Sequence, residues 1–158
     1  PEIQIDYADR LEDIDAEEQR IESRFSKTKR AAWDTYLRGA GAPPVKTPEG
    51  WLVLYHAITE NEPDRYRIGA MLLDLDDPTK VIARSAGPLL SPDMPYENHW
   101  KPGIVYTCGA VVKDGTFFLY YGGGDRHVCV AHAPISQILY DLKHDRAPAL
   151  SPAEAVMA

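Results

Sequence analysis

The chain has 158 residues, of which 44% are hydrophobic, and it carries a formal net charge of -7 with a pI near 5.2. A length of this order suits one domain or part of one, and the acidic balance disfavours nucleic acid and anionic membranes, which attract basic surfaces. The sequence has no apolar run near the roughly 20 residues of a membrane span, and its first residues have neither the basic start nor the apolar segment of a signal peptide.

Residues 1–38 are predicted to form an acidic helical segment. The stretch from Asp9 to Leu37 contains neither Gly nor Pro, and its acidic side chains come early and its basic ones late, an order that complements the helix dipole. Apolar residues recur there at helical spacing. They are Leu11, Ile14, Ile21, Phe25 and Ala32. We expect a docking or oligomerisation helix whose end is anchored by Trp33, Tyr36 and Leu37.

Residues 39–44 are rich in Gly and Pro and end the predicted helix. They lack the Gly-Lys-Ser/Thr ending of a phosphate-binding P-loop, so we expect a tight backbone turn there. Two antiparallel strands are predicted at 45–57 and 66–75, joined by a polar loop at 58–65, and a further short strand at 81–85. The Pro-rich connection that follows contains His99 and Trp100, in a place where substrate contacts are common.

A second set of strands is predicted at 104–112, 117–121 and 127–132, and it repeats the order of the first. Lys46, Gly50 and Tyr55 are echoed by Lys113, Gly115 and Tyr120. An offset of roughly 65 residues suits a four-stranded propeller blade with a long loop. The repeat therefore predicts two blade-like sheets.

A short helix is predicted after Pro134, with Ser136 as a candidate N-cap. After Lys143 the chain becomes rich in Pro and Ala. We therefore divide it into an acidic helical segment (1–38), propeller blades (39–143) and a tail (144–158).

Two cysteines, Cys108 and Cys129, are too few for a disulfide framework. Both lie in strand-like segments, so we expect free core thiols in a reducing compartment and a cytoplasmic protein. The five histidines lack the spacing of a zinc site, and no metal is expected.

Five segments of residues 39–142 carry a family resemblance. They are GAGAPPVKTPEGWLVLYH (39–56), YRIGAMLLDL (66–75), VIARS (81–85), CGAVVKDG (108–115) and YYGGGD (120–125). In order and spacing they resemble glycoside hydrolase family 130, the β-mannoside phosphorylases and related mannosidases. The resemblance implies an all-β fold, a five-bladed β-propeller with the sugar site at its central channel, of which this chain holds about two blades.

The resemblance also indicates what the chain lacks. The family's catalytic aspartate belongs to an earlier blade, in a motif similar to Glu-Asp-Pro-Arg, and residues 1–38 contain no match beyond a distant echo at 7–10. The chain is then either a piece of a longer enzyme or a shortened relative, and its catalytic residue is unknown. Two blades leave exposed sheet edges, so we expect a homo-oligomer or association with missing blades.

The resemblance assigns site residues by position. It implies phosphate contacts for His56, Tyr66 and Lys46, and sugar contacts for Asp125 and Tyr106. The adjacent Arg67 is left out, since neighbouring strand residues point to opposite faces, and His99 with Trp100 is expected to shape the leaving-group side. Inorganic phosphate is the implied co-substrate, with no other cofactor, and the partner is a mannose-containing oligosaccharide.

Three functions fit these residues. The first is phosphorolysis of β-1,4-mannosides to mannose 1-phosphate with inversion. The second is hydrolysis of similar linkages, which needs a second carboxylate as base, and the sequence offers no clear candidate. The third is a catalytically silent carbohydrate-binding or assembly module, which the absence of the acid motif keeps open.

Overall fold

The computed structural model describes residues 9, 10, 12 and 32–152. Most of the predicted helical segment and residues 153–158 of the predicted tail lie outside the described residues. The described chain folds into two antiparallel sheets and a short helix. The all-β prediction and the two blade-like repeats are confirmed.

The first sheet has five strands, and its main path runs β1-β3-β4-β5, with β2 paired to the start of β3. The strands are β1 (Tyr36–Ala40), β2 (Val45–Thr47), β3 (Gly50–Thr59), β4 (Glu62–Leu73) and β5 (Val81–Arg84). Strands β3 and β4 form the long central pair, from Trp51 opposite Leu73 to Thr59 opposite Glu62, with a shift of register between Ala57 and Thr59.

Two predictions for the first sheet are wrong. The predicted loop at 58–65 is a hairpin turn, and the polar residues Glu62 and Asp64 belong to the exposed start of β4, so their polarity reflects solvent exposure. The helix predicted to reach residue 38 gives way to a strand at Tyr36, because Leu37 pairs with Ala57 on β3 and buries all but 1% of its side chain.

The second sheet has four strands in the order β6-β7-β8-β9. They are β6 (Val105–Lys113), β7 (Thr116–Gly123), β8 (His127–Pro134) and β9 (Ser151–Pro152). Part of the predicted tail is therefore strand, since Ser151 pairs with His132 and Pro152 with Ala131. The core lies between the two sheets, where Leu54 and Leu72 of the first pack with Phe117 and Leu119 of the second.

The helix α1 (Ile135–Lys143) follows β8 directly and packs Ile138 and Leu142 into this core. It begins right after Pro134, so Ser136 lies inside its first turn and the N-cap prediction is wrong. A 3-10 turn at Pro95–Glu97 lies in the connection between the sheets. Within the described residues, no helix has the length and apolar character needed to cross a membrane.

Both cysteines are free, as predicted, but only Cys129 is partly buried. Cys108 is exposed, because it follows the alternation of β6 and shares the exposed face of Tyr106. The expectation of two core thiols is wrong for Cys108.

Candidate functional site

A cavity of about 1000 Å³ opens between the two sheets, beside the end of β3 and the start of β4. Its polar lining comes from the strand ends of both sheets and from the connection between them. The polar and aromatic residues that line it are Arg38, Asp64, Tyr66, Lys101, Tyr106 and Asp125. Three of the five residues assigned by the sequence, namely Tyr66, Tyr106 and Asp125, are thus brought together.

Tyr66 is positioned by a backbone hydrogen bond. Its N–H donates to the carbonyl oxygen of Gly103 at 2.8 Å, which ties β4 to the connection between the sheets. Its hydroxyl accepts a hydrogen bond from Arg38 Nε at 3.3 Å. Arg67 belongs to the opposite face of β4: it pairs with Ala57, whose side chain packs in a separate apolar cluster, and it forms an ion pair with Glu62.

Asp125 is held at the cavity by a turn that the glycine run makes possible. Gly124 and Asp125 have φ angles of 58° and 55°, in the left-handed region that Gly and Asp tolerate best. A Cβ on Gly124 would lie 3.0 Å from the carbonyl oxygen of Tyr96, so a larger residue would force the turn and the connection slightly apart. The Asp125 carboxylate accepts a hydrogen bond from Lys101 Nζ at 2.7 Å.

The buried Glu97, which the sequence analysis did not identify, supports this turn. Its side chain is fully buried and accepts hydrogen bonds from the Tyr121 hydroxyl at 2.7 Å and from the Met94 backbone N–H at 2.8 Å. Burial raises the pKa of Tyr121, and the hydrogen bond to Glu97 adds to that shift. The connection is therefore fastened to the end of β7, which carries the turn to Asp125.

His56 lies behind the cavity wall. Its ring is fully buried and stacks on the Tyr106 ring, with 3.9 Å between ring centroids. Its Nε2 accepts a hydrogen bond from the Thr107 backbone N–H at 2.9 Å, so Nδ1 carries the proton, and Nδ1 has no partner within the described part of the chain. Burial lowers the pKa of His56 to about 4, which keeps the imidazole neutral near pH 7.

Lys46 is placed far from the cavity. It pairs with Trp51 at the start of β3, and its ammonium lies 5.5 Å from the Trp51 ring centroid. Ile58, which lines the cavity, is seven residues further along the strand, a rise of about 23 Å at 3.3 Å per residue. The structure therefore separates Lys46 from the residues that the resemblance groups with it.

His99 and Trp100 lie on the exposed side of the connection. Trp100 is 68% exposed beneath the Arg126 guanidinium, and the His99 ring lies 6.3 Å from the His127 ring. Neither lines the cavity formed by the described residues.

Two cations in the cavity, Arg38 and Lys101, escaped the sequence analysis. Arg38 was assigned to a helix end, and its position became visible only with the pairing of β1 to β3. Lys101 lies in the connection that was expected to contact substrate, so its neighbourhood carried a signal although the residue did not. Together with Tyr66 they supply cationic and hydroxyl donors suited to a bound anion, while Asp125 and Tyr106 offer an acceptor and a ring face suited to a sugar.

Comparison with known proteins shows what the chain is similar to. A family model described as beta-1,4-mannooligosaccharide phosphorylase matches residues 5–144. A 1,2-beta-oligomannan phosphorylase of Thermoanaerobacter sp. (strain X514) is 44% identical over 109 residues, covering 68% of this chain and 36% of that protein. A beta-1,2-mannobiose phosphorylase of the same organism is 42% identical over 104 residues, covering 65% of this chain and 34% of that protein.

Among solved structures, the chain is similar to the beta-1,2-mannobiose phosphorylase from Listeria innocua in complex with beta-1,2-mannobiose. The TM-score is 0.67 at 36% identity, and the match covers 80% of this chain and 34% of that one. The chain spans about a third of the length of the curated relatives it matches.

Proposed function

Because this chain belongs to glycoside hydrolase family 130, we propose that it forms part of the active site of a β-mannoside phosphorylase, an enzyme that converts a mannoside and inorganic phosphate to mannose 1-phosphate. The observation that carries the proposal is the convergence of Arg38, Tyr66, Tyr106 and Asp125 in one cavity.

The phosphate side of the proposed site is built on Tyr66 and Arg38. Guanidinium and hydroxyl groups donate charge-assisted hydrogen bonds to phosphate oxygens, and Arg38 already orients the Tyr66 hydroxyl. His56 joins them as a neutral donor through Nδ1. That contact requires the Tyr106 ring, which covers His56, to shift when phosphate binds.

The sugar side is built on Asp125 and Tyr106. The Asp125 carboxylate accepts hydrogen bonds from mannosyl hydroxyls, and the half-exposed ring of Tyr106 offers a flat apolar face to the sugar ring. Placing both partners in one cavity makes the reaction effectively unimolecular, which is a large part of what such a site contributes.

In the proposed reaction a phosphate oxygen attacks the anomeric carbon from the face opposite the leaving group. The bond from this carbon to the glycosidic oxygen breaks, and an acid protonates that oxygen, so the configuration inverts. Asp125 is bound to Lys101 and acts as an acceptor, so it is not assigned the acid role. The resemblance assigns the acid to an aspartate of an earlier blade, in a motif that residues 1–38 do not match, so we propose that another segment or chain supplies it.

The linkage of the substrate is the most specific part of the proposal. The sequence led us to expect β-1,4-mannosides, and the matching family model is described in those terms. The two relatives above are named for β-1,2-linked substrates. We therefore place β-1,2-mannosides first and β-1,4-mannosides second.

The test is a turnover assay on β-1,2-mannobiose and β-1,4-mannobiose, each with and without inorganic phosphate. Mannose 1-phosphate that forms only when phosphate is present supports the proposal, and the better substrate decides the linkage. Free mannose formed equally in both conditions would contradict it and favour the hydrolase. If no product forms, phosphate binding is compared between wild-type protein and Tyr66→Phe. Binding that Tyr66→Phe weakens indicates an intact site without its acid, and no binding by wild-type protein indicates that the site is absent.

A further inference from the structure

The proposed site has an electrostatic difficulty that one side chain resolves. A phosphate dianion bound by Tyr66 and Arg38 shares its cavity with the carboxylates of Asp64 and Asp125. Like charges in one cavity repel one another, and the repulsion opposes binding of the anion. Lys101 lines the same cavity and bonds Asp125 through Nζ and Oδ2 at 2.7 Å.

Lys101 is fixed relative to Asp125 by the backbone as well as by its side chain. The Lys101 N–H donates to the Gly124 carbonyl oxygen at 3.1 Å, and the Gly124 N–H donates to the Ile104 carbonyl oxygen at 2.9 Å. These two bonds clasp the connection to the turn at the cavity rim. The ammonium of Lys101 therefore starts from a fixed backbone position next to the carboxylate.

Lys101 lines the same cavity as Tyr66 and Asp64 on the phosphate side. The pKa of Lys101 is raised, first by the hydrogen bond to Asp125 and by that carboxylate's charge, and further by Tyr66 and Asp64. It is thus within electrostatic reach of both halves of the cavity. An ammonium has three N–H donors, and Asp125 occupies one of them.

We propose that Lys101 is a charge-compensating residue that neutralises Asp125 and so allows a phosphate dianion to bind beside the carboxylate that holds the sugar. This inference rests on the proposed function. It gives Lys101 a role that acts through Asp125, which makes Lys101 a positioning residue for phosphate affinity.

The inference is tested by calorimetric titration of the full chain with inorganic phosphate alone. Lys101→Met keeps the backbone clasp and removes the ammonium, and we expect it to weaken phosphate binding about tenfold, allowing for solvent screening. Lys101→Arg should bind close to wild type. Lys113→Met is the matched control, because it removes the same charge from the exposed far end of β6, about 23 Å along the strand from Tyr106.

The decisive variant is the double change Lys101→Met with Asp125→Asn. If Lys101 acts by neutralising Asp125, removing the carboxylate restores phosphate affinity, and Asp125→Asn alone binds phosphate at least as tightly as wild type. A loss in Lys101→Met that Asp125→Asn does not restore would overturn the inference, because it would mean that the ammonium acts by direct contact with phosphate or on the fold.

The failures of the two proposals are distinguishable. Wild-type protein that binds phosphate while Lys101→Met binds equally well overturns the role of Lys101 and leaves the proposed function standing. Wild-type protein that does not bind phosphate overturns both.

Discussion

At the scale of single residues, the cavity separates groups that the sequence alone treated as equivalent. Tyr66 and Lys46 were both assigned to phosphate by position, yet only Tyr66 lines the cavity. Lys46 lies over Trp51 at the other end of β3. Arg38 takes the cationic place beside Tyr66 that Lys46 was expected to fill. Strand register, which a local pattern does not specify, decided which of the two cations lies at the cavity.

Separate replacement of Arg38 and Lys46 gives the first prediction. We expect Arg38→Met to weaken phosphate binding at least about tenfold, as befits loss of a charge-assisted hydrogen bond, and Lys46→Met to leave it unchanged. Phosphate titration of the two variants measures the difference. Equal losses in both would mean that the cavity is not the phosphate site.

His56 gives the second prediction, since its pKa of about 4 in the folded chain lies below its usual value of 6.5. The unfolded chain therefore binds an extra proton between pH 6.5 and 4, and stability falls as the pH falls through that window. The loss amounts to roughly 3 kcal/mol over the whole window.

Denaturant unfolding at several pH values checks this contribution. His56→Gln should flatten the fall in unfolding free energy between pH 6.5 and 4. The matched control is His99→Gln, which removes an exposed histidine and should keep the wild-type slope. The same slope in both variants would contradict the burial of a neutral His56.

At the scale of elements, the connection between the sheets is the part that positions the site. Alternating apolar residues predicted the strands well, because each strand buries one face. The connection has no such period, so the sequence revealed only its prolines, while its position is fixed by contacts made by Glu97 and Lys101 with residues more than 20 positions away. The polar start of β4 and the strand at Tyr36 were missed for a related reason, since pairing overrode local composition.

Tyr121→Phe gives the third prediction, because it removes the hydroxyl that donates to the buried Glu97 carboxylate. We expect a loss of about 1–3 kcal/mol in unfolding free energy, the usual consequence of an unsatisfied buried acceptor. Denaturant unfolding measures it. Tyr120→Phe on the same strand is the control, since Tyr120 is 43% exposed, and similar stability in both variants would show that the Glu97 contact does not support the connection.

A buried ion pair fastens the residues before β1 to the first sheet and gives the fourth prediction. Arg84 donates to Asp34 at 2.6 Å, and Tyr55 donates to the same carboxylate oxygen at 2.9 Å. Asp34 is fully buried, so Arg84→Met leaves its charge uncompensated and should cost about 3–5 kcal/mol.

Thermal and denaturant unfolding of Arg84→Met measure that cost. Lys80→Met, which removes a mostly exposed cation of the same sheet region, should stay close to wild type. Near-native stability in Arg84→Met would show that the pair is not the fastening that its geometry indicates.

At the scale of the whole molecule, two sheets with a shared core account for about a third of the length of the related phosphorylases. The repeat in the sequence predicted the two sheets, because the strands of both sheets come in the same order and bury an apolar face. The same repeat could not predict the cavity between them, which depends on how the ends of β3, β4 and β6 meet. The expectation that further blades or a second copy complete the ring stays a prediction.

The central claim is that one cavity binds phosphate and mannose side by side, and titration of the full chain with mannose 1-phosphate tests it most directly. We expect saturable binding of mannose 1-phosphate at one site, tighter than that of phosphate or mannose alone, with free phosphate competing for the same site. Mannose 1-phosphate that binds no more tightly than phosphate would contradict the claim. Mannose 1-phosphate that fails to compete with phosphate and with mannose would also contradict it.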